Sequence, residues 1–210
     1  MVFTQLYWLG KTHCCIYNNV GVHFEMTNEV IFGNKETFGI RYLPDWTAKG
    51  ENYRFAKLHL VFKGQVIGDP NESSLVGTWV AGLKRISKII EVNFDKLSNA
   101  EFKNKTDYEV FELIYKSNQL EENYKGEYRY LNQLDNEVWQ YCNISIDETT
   151  DAFQIVMTAD GNNLKFLWKG LREPYNPEQI EMLNSVKIER DYVLKVIEEC
   201  ILTVTKETHN

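Results

Sequence analysis

Cysteine and histidine are the residues of this chain best suited to nucleophilic catalysis or metal binding, and their spacing supports neither role. The four histidines are scattered, and the chain contains no His-x₃-His or Cys-x₂-Cys pair of the kind that zinc sites use. Cys142 or Cys200 would have to meet His59 to act as a nucleophile, yet thiols on core-facing stripes are usually inert. We therefore predict no metal site, no cofactor, no catalytic cysteine, and thiols that are reduced and mostly buried.

Paired carboxylates are the other source of chemistry, because two facing acids can cleave a glycosidic bond. Glu121-Glu122 and Asp147-Glu148 are adjacent acids, but both pairs lie in polar segments and no spacing marks them as facing another acid. The glycine-containing stretches Gly33–Gly39 and Gly64–Gly68 are not followed by Gly-Lys-Ser/Thr, so they indicate hairpin turns rather than a phosphate-binding loop. No enzyme is predicted. A carboxylate-dependent hydrolase and a ligand-sensing or adaptor domain stay open as alternatives.

The segment from Gln119 to Asp151 combines a high density of acids with aromatic side chains. It holds eight acidic residues and two basic ones, in a chain whose formal net charge is −7. Acids steer a basic protein toward a surface and aromatic side chains supply contact area, so we predict a protein-binding surface here. The candidate residues are Glu121, Glu122, Tyr124, Glu127, Tyr128, Asp135, Glu137 and Trp139, together with Trp46, which lies in a predicted loop.

The acidic balance also limits the partners that the chain can have. A net negative protein binds nucleic acid poorly, because the phosphate backbone repels it. No stretch approaches the ~20 apolar residues of a membrane-spanning helix, and the N-terminus lacks the pattern of a signal peptide. We therefore expect a cytoplasmic protein with no nucleic-acid, membrane or small-molecule partner. One helix end, with Lys84, Arg85 and Lys88, is basic and is the exception to this acidity.

Short apolar runs separated by turn residues predict a sheet made of antiparallel hairpins. The Lys63-Gly64 pair can reverse the chain between two of these strands, and the loop Ala159–Asn163 can reverse it between two others. The predicted strands are Glu29–Phe32, Thr37–Leu43, Tyr53–Phe62, Gln65–Ile67, Tyr128–Leu131, Val138–Ile146, Phe153–Thr158 and Leu164–Trp168.

Two to three helices are predicted beside the sheet. The first follows Ser73 and Ser74, either of which can cap it, and it carries Trp79 on its apolar face. A second begins at the capping box formed by Thr106 and Glu109, and a C-terminal helix is marked by an apolar stripe from Val193 to Val204. Strands and helices without βαβ alternation indicate an α+β fold.

Residues 1–25 differ from the rest of the chain, because they show no clean periodicity and contain two adjacent cysteines. We expect this leader to be loosely packed or poorly ordered, and Met26 to be the natural start. Residues 26–210 are expected to form a single α+β domain.

The turn motifs resemble those of a known family. The order of three segments resembles that in the immunity proteins of bacterial polymorphic toxin systems, most nearly the family numbered forty-two. The segments are Ile31–Ile40 (IFGNKETFGI), Lys63–Asp69 (KGQVIGD) and the helix with Trp79. The resemblance covers Glu29–Leu202, with Leu164–Trp168 and the last helix as weaker matches. It implies a small cytoplasmic α+β protein that binds and silences a cognate toxin domain, and it brings no catalytic residues to this chain.

Overall fold

Antiparallel strands and four α-helices make up the part of the chain that the computed structural model describes, which is residues 29–47, 54–122, 128–130, 136–171, 180 and 182–206. The strands are β1 Val30–Asn34, β2 Phe38–Thr47, β3 Arg54–Phe62, β4 Gln65–Ile67, β5 Ser74–Leu75, β6 Leu120–Glu122, β7 Tyr128–Tyr130, β8 Phe153–Asp160, β9 Asn163–Gly170 and β10 Asn184–Glu189. The helices are α1 Val76–Val92, α2 Asp107–Ser117, α3 Asn136–Cys142 and α4 Arg190–Lys206. The predicted α+β fold with a C-terminal helix is confirmed. The predicted leader, residues 1–25, lies outside the described residues.

The first sheet has the strand order β1-β2-β3-β4, and the short β5 pairs with the start of β3. Its hairpins close as the turn residues predict. Lys63 and Gly64 have positive φ angles of 49° and 78°, as a two-residue turn between twisted antiparallel strands requires. The register that follows places Phe62 of β3 opposite Gln65 of β4. In the neighbouring pair of strands, Phe38 of β2 lies opposite Phe62 of β3.

The second sheet has the order β10-β9-β8. The predicted hairpin between β8 and β9 is confirmed, with Asp160 paired to Asn163 across a turn at Gly161. Strand β10 was not predicted, although its buried Val186 and Ile188 alternate with exposed Lys187 and Glu189. This alternation spans too few residues to separate a strand from a loop by periodicity alone.

Four aromatic side chains, which we call the aromatic junction, join the two sheets. They are Phe38 and Phe62 from the first sheet, and Phe166 and Trp168 from the second. The Phe38 and Phe166 rings stack with centroids 5.8 Å apart, and Phe62 lies 4.9 Å from Phe166 and 5.0 Å from Trp168. The Trp168 indole N–H also donates to the Gln65 Oε1 at 2.9 Å. Packing of this kind, with each ring almost fully buried, fixes how the sheets face each other.

Helix α1 packs its predicted apolar face against β3 and against α4. Its buried residues are Val76, Trp79, Leu83, Ile86, Ile89 and Ile90, and those of α4 are Val193, Val196, Ile197, Cys200 and Val204. The prediction that Ser73 or Ser74 caps α1 is wrong, because Leu75 occupies the N-cap position and no side chain caps it. Ser74 lies on β5 instead, and the Ser73 hydroxyl donates to the Asp45 carboxylate.

Helix α2 begins at the predicted capping box. The Glu109 backbone N–H donates to the Thr106 hydroxyl at 3.3 Å, and the Thr106 N–H donates to the Glu109 carboxylate at 2.7 Å. These two bonds satisfy backbone N–H groups that have no acceptor in the first turn of a helix. A local motif therefore sets where α2 begins.

Trp79 is fully buried in α1, as the sequence predicts, and its indole N–H finds no acceptor among the described residues. Trp79→Ala should lower the free energy of unfolding by about 3–5 kcal/mol, because it removes burial and leaves a cavity. Trp79→Phe should cost less than half as much, since it keeps most of the ring and sacrifices no hydrogen bond. Denaturant titration measures both values. A matched change at the exposed Lys84, to Ala, should stay within about 0.5 kcal/mol of the parent. An unchanged midpoint for Trp79→Ala would contradict the packing described.

Candidate functional site

The predicted binding segment, Gln119–Asp151, folds as a hairpin, a helix and a 3₁₀ turn. Strand β6 starts shortly after α2 ends and holds Glu121 and Glu122, while β7 holds Tyr128. The two strands form a separate two-stranded sheet in which Glu122 lies opposite Tyr128. The structure therefore brings one predicted acid and one predicted aromatic residue side by side. Of the other candidates, Tyr124, Glu127 and Asp135 lie outside the described residues.

Helix α3 corrects a prediction, because Val138–Ile146 was expected to be a strand. Val138 and Cys142, four residues apart, are both buried, which is the spacing of one helical face. Only after Cys142 does the chain become extended, where Asn143 pairs with Val156 and the Ile144 N–H donates to the Ile155 carbonyl at 2.9 Å. The alternation of buried and less buried residues that suggested a strand lies in this extended second half. It made the helical spacing of the first half hard to recognise in the sequence.

Trp139 and Glu137, the remaining candidates of the acidic segment, both lie on α3. The Trp139 side chain is half-buried and packs against the core. Its ring meets the Tyr115 ring of α2 edge to face, with centroids 5.9 Å apart and an interplanar angle of 62°. This contact between two helices orients the indole while leaving part of it accessible.

Trp46 lies on β2 rather than in the predicted loop. It pairs with Phe55 after a register shift between Pro44 and Trp46. Strand β1 pairs with β2 only as far as Tyr42, so Pro44 lies where one side of β2 has no strand partner among the described residues. A proline is tolerated in such an edge position, which is why the strand continues past it. Whether Trp46 contacts a partner stays a prediction.

The acids at the end of the segment have different roles. The Asp147 carboxylate accepts from the Thr149 N–H at 3.1 Å and from the Thr149 hydroxyl at 2.6 Å, so it caps the 3₁₀ turn Glu148–Thr150. Glu148 itself is exposed. Glu72, Asp147 and Glu148 border an open cleft of about 670 Å³ beside β5. The Asp147 carboxylate thus has a structural role, and Glu148 is the more exposed member of the pair.

The described residues offer little nucleophilic chemistry. Cys142 and Cys200 are unpaired and buried, and burial raises the pKa of each thiol to about 12, so both are protonated at neutral pH. No group of three or more His, Cys, Asp or Glu among these residues is arranged to hold a metal ion. No helix in the described part of the chain has the length and apolar character needed to cross a membrane.

His59, the one histidine among the described residues, supports a turn. It is fully buried on β3, and its Nε2–H donates to the Asp69 carbonyl at 2.7 Å, while its Nδ1 has no partner in the described residues. The turn it supports leaves no room for a side chain at Gly68, where a Cβ would lie 2.6 Å from the Thr149 carbonyl oxygen. The pKa of His59 is lowered, chiefly by burial and also by the Arg41 charge, against opposing contributions from the Asp69 hydrogen bond and from the Asp147 and Asp69 charges.

Comparison with known proteins supplies a family and a fold. A family model described as immunity protein 42 matches residues 30–202. No curated protein matches the chain. Among solved structures, the crystal structure of CdiI from Burkholderia dolosa AUO158 is similar in fold, with a TM-score of 0.53 and 14% sequence identity. The similarity covers 83% of this chain and 99% of that one.

The buried His59 predicts a pH-dependent stability. Because the folded pKa lies below the unfolded value of 6.5, the stabilising contribution is complete above pH 6.5 and is lost as pH falls below it. Each pH unit over which only the unfolded chain binds this proton lowers the free energy of unfolding by about 1.4 kcal/mol. His59→Gln retains a donor for the Asp69 carbonyl but does not titrate. Urea titrations across the pH range should show a steeper loss below pH 6.5 for the parent than for the variant. Parallel curves would refute this role for His59.

Proposed function

Because the chain belongs to the immunity protein 42 family, whose function is to neutralise a toxin, we propose that it binds one cognate toxin domain and blocks it without catalysis. The match over residues 30–202 is the observation that carries this conclusion, since it spans almost all of the described residues. The complex forms in the cytoplasm of the bacterium that makes the protein, before the toxin domain reaches its own target.

Charge supports an encounter with a basic partner. The chain carries a formal net charge of −7, and eight of its acids fall in the segment Gln119–Asp151. Complementary charge raises the rate of association, and this gain weakens as salt screens the charges. We propose that the hairpin β6–β7 and helix α3 lie on the face that first meets the toxin.

Neutralisation by occupancy, in which the bound protein simply covers the toxin domain, agrees with the chemistry of the described side chains. The buried thiols are protonated at neutral pH, and Asp147 is already engaged in capping its 3₁₀ turn. A protein that acts by occupancy must be present in at least the amount of its target. An enzyme that inactivates the toxin would need far less.

A titration separates these two modes. The cognate toxin domain, which is to be sought in the genes next to that of this chain, is held at fixed concentration, and its activity is measured as the immunity protein is added. We expect activity to fall linearly and to reach zero at a one-to-one ratio. Complete loss of activity at a small fraction of one equivalent would contradict occupancy and would favour the hydrolase alternative.

Reversing acids in the predicted segment tests the location of the encounter surface. The triple variant Glu127→Lys, Asp135→Lys, Glu137→Lys should slow association with the toxin domain about tenfold or more at low salt, and should flatten its salt dependence. These acids are predicted to belong to a binding surface, where charges contribute little to stability, so the free energy of unfolding should change little. Stopped-flow kinetics at several salt concentrations gives the rates.

A control with the same change in net charge uses three exposed acids near or on α4, in the variant Glu189→Lys, Glu198→Lys, Glu199→Lys. Its association should stay close to that of the parent. Equal effects of the two triple variants would show that only net charge matters, and unaltered kinetics in both would direct attention to Trp46.

A further inference from the structure

A groove of about 400 Å³ runs between α1 and α3. Its lining residues are Arg85, Ile89, Trp139, Gln140, Tyr141 and Asn143. The floor is apolar, since Ile89 is buried, and the half-buried Trp139 and Tyr141 form an aromatic wall. The groove therefore combines Trp, Tyr and Arg, the three residue types that contribute most often to the energetic centres of protein interfaces.

Arg85 is the charged residue among those that line this groove, and its guanidinium has unused hydrogen-bonding capacity. One of its guanidinium nitrogens donates to the Ser145 carbonyl at 3.0 Å. No carboxylate of the described residues lies within ion-pair distance of it, and the neighbouring Lys84 and Lys88 are likewise exposed without an acidic partner among those residues. A guanidinium has five N–H donors in a planar fork that matches a carboxylate. The groove thus presents a cation whose counter-ion is not supplied by the described part of the chain.

The groove walls are held in place before any partner arrives. The edge-to-face contact with Tyr115 orients Trp139. On the opposite side, α1 lies so close to the segment after α3 that a Cβ at Gly82 would be 2.8 Å from Ile146 Cγ2. A preformed pocket loses less conformational entropy on binding, which favours affinity.

We propose that this groove is the anchor site for the toxin domain, and that it binds an acidic side chain, Asp or Glu, flanked by an apolar residue. The carboxylate pairs with the Arg85 fork, and the apolar neighbour packs on Trp139 and Ile89. This inference rests on the proposed function and adds to it a second kind of contact with the toxin domain. Acids of the hairpin and α3 accelerate the encounter with a basic partner, while the groove holds one acidic residue of that partner and slows dissociation.

Isothermal titration with the same toxin domain tests the groove. Arg85→Glu should weaken binding at least tenfold, mainly through faster dissociation. Gln140→Glu should also weaken it, because Gln140 is exposed on the rim and a carboxylate there would compete for Arg85. Lys195→Glu, which reverses an exposed lysine of α4, is the matched control and should bind within twofold of the parent. The melting temperature of each variant confirms that it is folded.

A charge-swap screen then identifies the partner residue. Single changes of surface Asp or Glu to Arg in the toxin domain are tested against Arg85→Glu, and one of them should restore binding. If Arg85→Glu and Gln140→Glu both bind within twofold of the parent, the groove is not the anchor, although the complex itself still supports the proposed function. If the parent chain does not bind at all, both proposals fail. A loss of self-association in Arg85→Glu, with toxin binding intact, would assign the groove to a dimer contact and overturn the inference.

Discussion

The stacking of Phe38 on Phe166 is the contact on which the rest of this structure depends. These rings belong to different sheets, and no backbone pairing joins those sheets in the described part of the chain. Side-chain packing alone therefore sets their orientation, and Phe62 and Trp168 complete the junction. Aromatic rings suit this role because each buries a large area and prefers a limited set of geometries. Helices α1 and α4 then pack on the first sheet, while α3 packs on β8 of the second.

We have proposed two contact surfaces of opposite charge on this molecule, an acidic one for the encounter with the toxin domain and a cationic groove for the anchor. The hairpin β6–β7 and the basic residues of α1 are separated in sequence, and α3 contacts α2, which precedes the hairpin, while Trp139 and Gln140 of α3 line the groove with Arg85. A partner that satisfies both surfaces must carry a basic region and an acidic residue at a matching distance. Such a requirement would exclude proteins that are merely basic, because they leave the Arg85 guanidinium without a carboxylate partner.

Features governed by neighbouring residues could be predicted from the sequence. The capping box at Thr106, the turn at Lys63-Gly64 and the apolar stripe that carries Trp79 are all local patterns, and all three are confirmed. Errors arose where tertiary pairing decides the outcome, as at Trp46, which lies on β2 and pairs with Phe55 of β3 instead of lying in a loop. Val138–Cys142 is helical because its buried residues follow helical spacing against the core, and Ser74 is drawn into β5 by pairing with Ala56.

The groove was beyond the reach of sequence patterns for the same reason. Arg85 was visible as part of a basic helix end and Trp139 as an aromatic residue among acids, but nothing local shows that they line one cavity. Their meeting depends on how closely α1 and the segment after α3 approach, and Gly82 permits that approach. Long-range packing of this kind leaves no periodic signal in the chain.

The aromatic junction also determines when the protein becomes functional during its synthesis. Its two halves come from β2–β3 and from β9, and the hairpin, α1 and α3 all lie between them in sequence. Closing so long a loop carries an entropic cost that grows only slowly with length, about 0.6 kcal/mol for each doubling. Contacts between distant residues nevertheless slow folding. The sheets cannot dock until β9 has left the ribosome, so a nascent chain gives no protection until most of it has been made.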